Sequence, residues 1–297
     1  MDEAEAMVLG GWVGEGLTKL TLSFQKLRNE AAPEDWAAFA EREFLAHSFV
    51  NLVHQDPFTK HSFDKPRNYA GDADLIDFMY GIRQPDAETS ELGRKIFDWA
   101  MQQSTVQSVR ARREIIASTI DDLAEHSSDL RILSIACGHL REAITSQGVQ
   151  NKCVSEFFAL DQDALSLEVV GRELSAFNVK PIHAPIKCLF KRNAEFQNLD
   201  FVYAAGLYDY LPQKVAVSLT CKMFGMLKSG GRLLVANFAP PLRDMAYSET
   251  FMQWKLIYRN EAEVLDFASG IPPEAISNQH LFWDAPKNVI YLEIVKK

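Results

Sequence analysis

Downstream of about residue 128, short apolar runs alternate with longer mixed segments. Ile132, Leu133 and Ile135 run straight into Ala136-Cys137-Gly138, and a polar, helix-compatible stretch follows at once. A buried parallel strand reads as a continuous apolar run of this kind. A small-residue turn after it brings backbone N–H groups and a helix start to the sheet edge. The same reading predicts strands over 131–136, 154–160, 179–183, 199–204 and 232–237. It predicts helices through 165–174 and over about 213–227, the latter stopped at Lys228-Ser229-Gly230-Gly231. A helix over about 247–267 comes next, and 279–284 and 288–295 pair as an antiparallel hairpin across Asp284–Asn288.

Upstream, the period is helical. Trp12, Leu17, Leu20, Leu22, Phe24 and Leu27 share a face, and a second helix from Pro33 carries Trp36, Phe39, Phe44, Leu45, Phe49 and Leu52. These stripes are expected in the core or in a homodimer contact through the N-terminal helices. Residues 55–73, with two prolines and one glycine, read as an irregular loop. Helices resume over Ala73–Met79 and Ile96–Leu123, and Ser127-Ser128 forms the exit. The chain therefore divides into a helical region, 1–127, and an α/β domain, 128–297.

Strand–helix alternation implies a mostly parallel sheet with helices on both faces, and ligands bind outside the carboxyl ends of such strands. Those ends carry Cys137-Gly138-His139, Asp161, His183-Ala184, Ala205-Gly206-Leu207-Tyr208 and Asn237-Phe238. With 297 residues, 47% hydrophobic and 24% charged, the chain can bury a large core. A net charge of -9 argues against a nucleic-acid partner. The basic cluster Lys187, Lys191 and Arg192 is expected to be a solvated loop. The N-terminus lacks a basic, then apolar, leader, and no apolar run reaches the roughly 20 residues of a membrane span. A cytoplasmic location is expected. Cys137, Cys153, Cys188 and Cys221 lack metal-ligand spacing, so free thiols and no metal are expected.

The order of these parts resembles the class I S-adenosylmethionine-dependent methyltransferases. ACGHL is similar to that family's first loop, and Asp161 to the acidic residue that grips the ribose hydroxyls. Leu199–Pro212 is similar to the strand-four motif, and MLKSGGRLLVANF (Met226–Phe238) to the helix, turn and fifth strand. The resemblance implies a Rossmann-like seven-stranded sheet, mostly parallel, with an antiparallel C-terminal hairpin and an added N-terminal helical region. Three positions depart from the pattern. Ser134 stands where strand one usually has an acidic residue, and Ala136 and Leu140 replace glycines. A narrower resemblance, carried by Lys60–Gly81, SIACGHLREA and Phe251–Asn260, is to bacterial enzymes that make methyl esters of 3-hydroxy fatty acids as cell-density signals.

The resemblance implies cofactor contacts at Ala136, Cys137, Gly138, His139, Asp161, Gln162, Ala205 and Gly206. Arg67, Tyr69 and Asp72 lie in a polar loop that either closes over the cofactor or rigidifies itself. Asp161 is read as a diol acceptor or a helix cap, and His139 as a cofactor contact or a cap. Tyr208, Asp209 and Tyr69 are the catalytic candidates, orienting an acceptor. Trp254 and Tyr258, spaced i, i+4 on the expected helix, are substrate-pocket candidates with Arg259 and Asn237. The implied activity is methyl transfer to a small molecule, at a carboxylate or hydroxyl, with N-methyl transfer or a non-catalytic cofactor-binding subunit as alternatives. A nicotinamide-dependent oxidoreductase would need GxGxxG after strand one, which ACGHLRE lacks.

Overall fold

The computed structural model describes residues 1–191 and 196–297. Arg192 of the basic cluster lies outside the described residues. Seven strands, β1 (Leu130–Ile135), β2 (Val154–Asp161), β3 (Val179–His183), β4 (Leu199–Ala204), β5 (Leu227–Phe238), β6 (Ile276–Trp283) and β7 (Val289–Lys296), form one sheet in the order β3-β2-β1-β4-β5-β7-β6. The first five run parallel, while β7 is antiparallel to both β5 and β6. Strands β1 and β4 are buried on both faces, which is why each is mostly apolar on both, with Ser134 in β1 and Asp200 in β4 as buried exceptions.

The order turns around at β1: the chain leaves it toward β2 and β3, then returns to β4 on its other side. Loops leaving β1 and β4 thus depart to opposite faces, and a crevice opens between their carboxyl ends. Strand β5 begins five residues earlier than expected. The helix Gln213–Met226 hands over directly to Leu227, which pairs with Leu199 before a register shift carries Phe201 to Arg232.

The described residues form two units. The first comprises Met1–Arg110 and Pro241–Lys255, the second Ala111–Pro240 and Leu256–Lys297. In the first unit, Leu17, Leu20 and Phe24 are buried as expected, but Trp12 is 63% exposed and Leu22 and Leu27 are also outside. Phe24 stacks on Phe44, with ring centroids 4.0 Å apart, and on Phe251. The expected helix from Pro33 breaks into Pro33–Phe39, a π-turn Ala40–Phe44 and Phe49–Val53; Trp36 and Phe49 are buried, whereas Phe39 is exposed. The loop expected over 55–73 contains a helix, Pro57–Asp64. Asp56 caps it through Phe58 N–H and Thr59 N–H, a stabilisation of about 1 kcal/mol.

The helix expected over 247–267 is not continuous. Helix Met245–Phe251 stops, Gln253 takes a left-handed φ of 50°, and helix resumes only at Glu261–Leu265 under a capping box from Asn260 and Glu263. Trp254 and Tyr258 therefore sit on irregular backbone and do not share a helix face.

Candidate functional site

The β1 turn has an alternating backbone. Ala136, Gly138 and Leu140 all take left-handed φ, at 54°, 54° and 51°. Glycine reaches that region without cost, while a residue with a Cβ is strained by roughly 1 kcal/mol or more. Two of the three positions accept that strain, so the turn keeps a glycine-like path with one glycine. Cys137 N–H bonds Leu160 O at 3.2 Å and Leu140 N–H bonds Cys137 O at 3.0 Å, tying the turn to β2 and to itself. The helix after the turn is short, Arg141–Thr145, so the turn's own backbone forms the cradle.

Asp161 closes that cradle. Its Oδ2 accepts the Gly138 N–H and its Oδ1 the Asp163 N–H, each over 2.8 Å. Burial pushes its carboxyl pKa up, against the lowering effect of these N–H groups. The cap of the following helix, Ala164–Glu173, is Asp163, which accepts Leu165 N–H. Asp161 therefore has no capping duty. Gln162 is exposed beside it, and its carbonyl lies 3.0 Å from His183 Nε2. His139 is buried and supplies no side-chain cap to the helix starting at Arg141; its Nδ1 lies 3.5 Å from Arg141 Nη2.

Two groups that the sequence reading passed over lie in the same unit. Glu142, in the first turn after the cradle, is 7% exposed, and its Oε1 accepts the Tyr203 hydroxyl of β4 at 2.5 Å. Ser134 of β1 hydrogen-bonds that same tyrosine, so a carboxyl on the helix reaches β1 through Tyr203. Burial raises the Glu142 pKa, with Arg112 and Arg113 opposing. Arg112, on the helix Ser104–Ala124, donates from Nη1 to Ala205 O at 2.9 Å. It lies so close to Gly206 that a Cβ there would sit 3.3 Å from Nη1. The charged pair Arg-Arg at 112–113 and the Arg-Glu after the turn were the available signals, but amphipathic helices carry such pairs routinely.

At the β4 and β5 ends the expected acceptor-facing residues mostly hold the fold. Tyr208, a catalytic candidate, is fully buried; its hydroxyl lies 2.8 Å from Thr220 Oγ1 and its ring packs on Phe267. Burial raises its pKa, so it is neither accessible nor acidic enough for proton transfer. Arg259 and Asn237, expected to touch substrate, are mutually spent. Arg259 is 2% exposed and donates to Gln213 Oε1, Tyr208 O, Asn237 Oδ1 and Leu211 O. Asn237 donates in turn to Phe238 O and Ile257 O. Asp209 joins the latch, accepting Phe238 N–H at 2.7 Å on Oδ1, and its own backbone N–H also bonds the carboxylate. Burial lifts its carboxyl to about 6, although Arg112 and Arg259 oppose the shift.

Arg67, Tyr69 and Asp72 belong to the first unit. Arg67 donates through Nε and Nη2 to Asp74 Oδ2, at 3.1 and 2.7 Å. Asp72 caps the helix Ala73–Met79 through Leu75 N–H and lies 2.9 Å from His61 Nε2. Tyr69 is half-buried. Donor atoms of His61, Asp72 and Asp74 lie within 4.8 Å of one another, but the cap and the Arg67 pair already use them. This is the rigidified form of the loop.

No family model matches the chain, and no curated protein matches it. Solved structures do. The chain is similar to a possible exported protein from Bordetella parapertussis, at 14% identity over 91% of this chain and 98% of that one, with a TM-score of 0.62. It is also similar to magnesium protoporphyrin IX methyltransferase from Synechocystis PCC 6803 with bound S-adenosylhomocysteine, at 12% identity over 81% of this chain and all of that one, with a TM-score of 0.52. The fold is the class I methyltransferase fold. At such identities the likeness is one of fold; the β1 turn, Asp161 and the end of β4 stand at the carboxyl ends of the strands where the order reverses.

Proposed function

We propose that the chain binds S-adenosylmethionine at the β1 turn and transfers its methyl group to a small molecule bearing a carboxylate or hydroxyl. Asp161 carries this reading. Its oxygens accept the Gly138 and Asp163 N–H groups, and Gln162 N–H also bonds the carboxylate; a carboxylate at a strand end that holds the turn in this way can also meet a donor of a vicinal diol. When bound, the cofactor supplies an electrophilic methyl on a sulfonium. The chain's contribution is to orient donor and acceptor and to exclude water.

A carboxylate acceptor is ionised at pH 7 and needs no base. A hydroxyl acceptor needs a base, and Asp209, whose carboxyl at about 6 is mostly ionised at neutral pH, is the proposed one; it is buried like Tyr208, so this route requires the end of β4 to open to the acceptor. The upstream motifs favour a 3-hydroxy fatty acid as acceptor. Trp254 and Tyr258 remain pocket candidates from irregular backbone. The N-terminal helices are proposed as a homodimer contact and the cytoplasm as the compartment.

Titration calorimetry with S-adenosylhomocysteine tests cofactor binding. Transfer of labelled methyl from S-adenosylmethionine to 3-hydroxy acids of graded chain length tests the acceptor. Absence of binding would end the reading; binding without transfer to any acid would leave the non-catalytic subunit.

A further inference from the structure

The two edges of the sheet are built differently. Strand β3, five residues long, carries Lys180 and Pro181, and both residue types keep another strand from adding to an edge. Strand β6, at the opposite edge, runs for eight residues without a proline or a charged side chain. Its ladder to β7 includes the bond from Asp284 N–H to Val289 O, and antiparallel pairing alternates from there. His280 and Phe282 therefore turn their main-chain groups toward β7. Gln279, Leu281 and Trp283 turn theirs outward, past the last strand of the sheet. An open edge of that length templates a further strand unless it is blocked, and β6 carries none of the blocks that β3 carries.

Charge decides the occupant. The chain has a net charge of -9, yet β6 itself is uncharged, so a second β6 can lie against it without like charges meeting. An antiparallel edge is also its own complement about a two-fold axis, each outward N–H meeting an outward C=O. We infer that β6 pairs antiparallel with β6 of a second copy of this chain, about an axis beside Leu281. In that register Leu281 faces its own counterpart, Gln279 faces Trp283, and His280 faces Phe282. The last pair extends an aromatic row already present, in which His280 stacks on Phe282 at 5.2 Å and Phe282 on Tyr291 at 5.0 Å. Leu281, Phe282 and Trp283 are half-buried, so the pairing also removes apolar surface from water. Trp283 is held in place by Glu261, whose Oε1 accepts its indole N–H at 2.6 Å. The contact lies wholly in the second unit and is separate from the one proposed at the N-terminal helices. A chain using both two-fold contacts assembles beyond the dimer.

Sedimentation of the full chain over about 1–100 μM tests the pairing. Gln279→Pro removes one outward N–H and leaves the bonds to β7, because proline is tolerated on an edge strand where its N–H would face away from the sheet. The wild type is expected to self-associate, and the mass of the variant to fall by at least half at the same concentration. A wild type that stays monomeric, or a folded variant of unchanged mass, would overturn the pairing. Should the variant unfold, hydrogen exchange on the wild type decides. The amides of Gln279, Leu281 and Trp283 are expected to gain at least about tenfold in protection from the lowest to the highest concentration. Those of His280 and Phe282, bonded to β7 throughout, are expected to stay constant. Outward amides that exchange at the same rate at every concentration sink the pairing, whatever other contact joins the copies.

Discussion

Gly138 donates its backbone N–H to Asp161 Oδ2 over 2.8 Å, so a single carboxylate both fixes the β1 turn and lines the position proposed for the ribose. Asp161→Asn replaces one acceptor oxygen by an NH2 that must face the N–H of Gly138 or Asp163. Leaving such a donor unmet costs about 1–3 kcal/mol. For a chain of this size that is a fall of several degrees in Tm. The expected outcome is a lower Tm together with a loss of S-adenosylhomocysteine affinity of at least about tenfold. Full affinity in the variant would show that the carboxylate only braces the turn.

The turn's backbone makes a second, opposite-signed pair of predictions. Ala136→Gly relieves a left-handed alanine, and the gain of up to about 1 kcal/mol is partly offset by the added freedom of the unfolded chain. Gly138→Ala places a Cβ on the same kind of backbone and is expected to cost about 1–2 kcal/mol. Urea midpoints at constant m value measure both. A Gly138→Ala variant as stable as wild type would contradict the turn geometry.

Particular residues explain how far the sequence could be read. Strands β3 and β4 fall on the expected 179–183 and 199–204, because β4 is buried on both faces and so carries its own signature. The helix Pro57–Asp64 was hidden among polar and proline residues, although Asp56-Pro57 is a cap followed by proline at the first helical position. The broken helix at 253–260 went the other way: Trp254 and Tyr258 have helical spacing, but Asn260 starts a new helix and the chain before it is spent on hydrogen bonds to Asp209 and Phe238. Gly138 and Asp161 were legible as groups at neighbouring strand ends, and the structure joins them by a hydrogen bond. Arg259 and Asn237 were legible as polar groups at a strand end, but residue type cannot tell which carbonyls a guanidinium will reach. Glu142 and Arg112 were missed for the same reason.

Arg259 is expected to behave as a structural latch. Arg259→Met leaves Tyr208 O, Leu211 O and the Asn237 and Gln213 side-chain oxygens without their donor. Removing one partner of a buried charged network costs about 3–5 kcal/mol. Lysine, with a compact ammonium, cannot span four acceptors and recovers only part of this. Urea unfolding of the three proteins checks the order wild type, Arg259→Lys, Arg259→Met. A loss below about 1 kcal/mol for the methionine variant would mean that the latch is not what holds the β4 and β5 ends.

Stability should also depend on pH in a defined window. Asp56, in the first unit, and Asp209, in the second, are both buried, and burial lifts each from an ordinary 3.8 to about 6. Between about pH 4 and pH 6 the folded chain therefore holds protons that the unfolded chain has released. By linkage, the free energy of unfolding falls as pH rises through this interval and levels off above it. The raised carboxyls of Glu142, Asp161 and Asp244 act in the same direction. Two pKa units correspond to on the order of 3 kcal/mol per group. Phe58 N–H bonds Oδ1 of Asp56 and Thr59 bonds Oδ2, so Asp56→Asn keeps an acceptor for only one side and lowers stability at every pH, by about 1–3 kcal/mol, besides removing the titration. The pH slope, rather than the stability at any one pH, therefore reports the Asp56 carboxyl. The expected result is a urea midpoint that falls between pH 4 and 6 in the wild type and falls less in the variant. A wild-type midpoint that rises over that range would reverse the sign and refute the assignment.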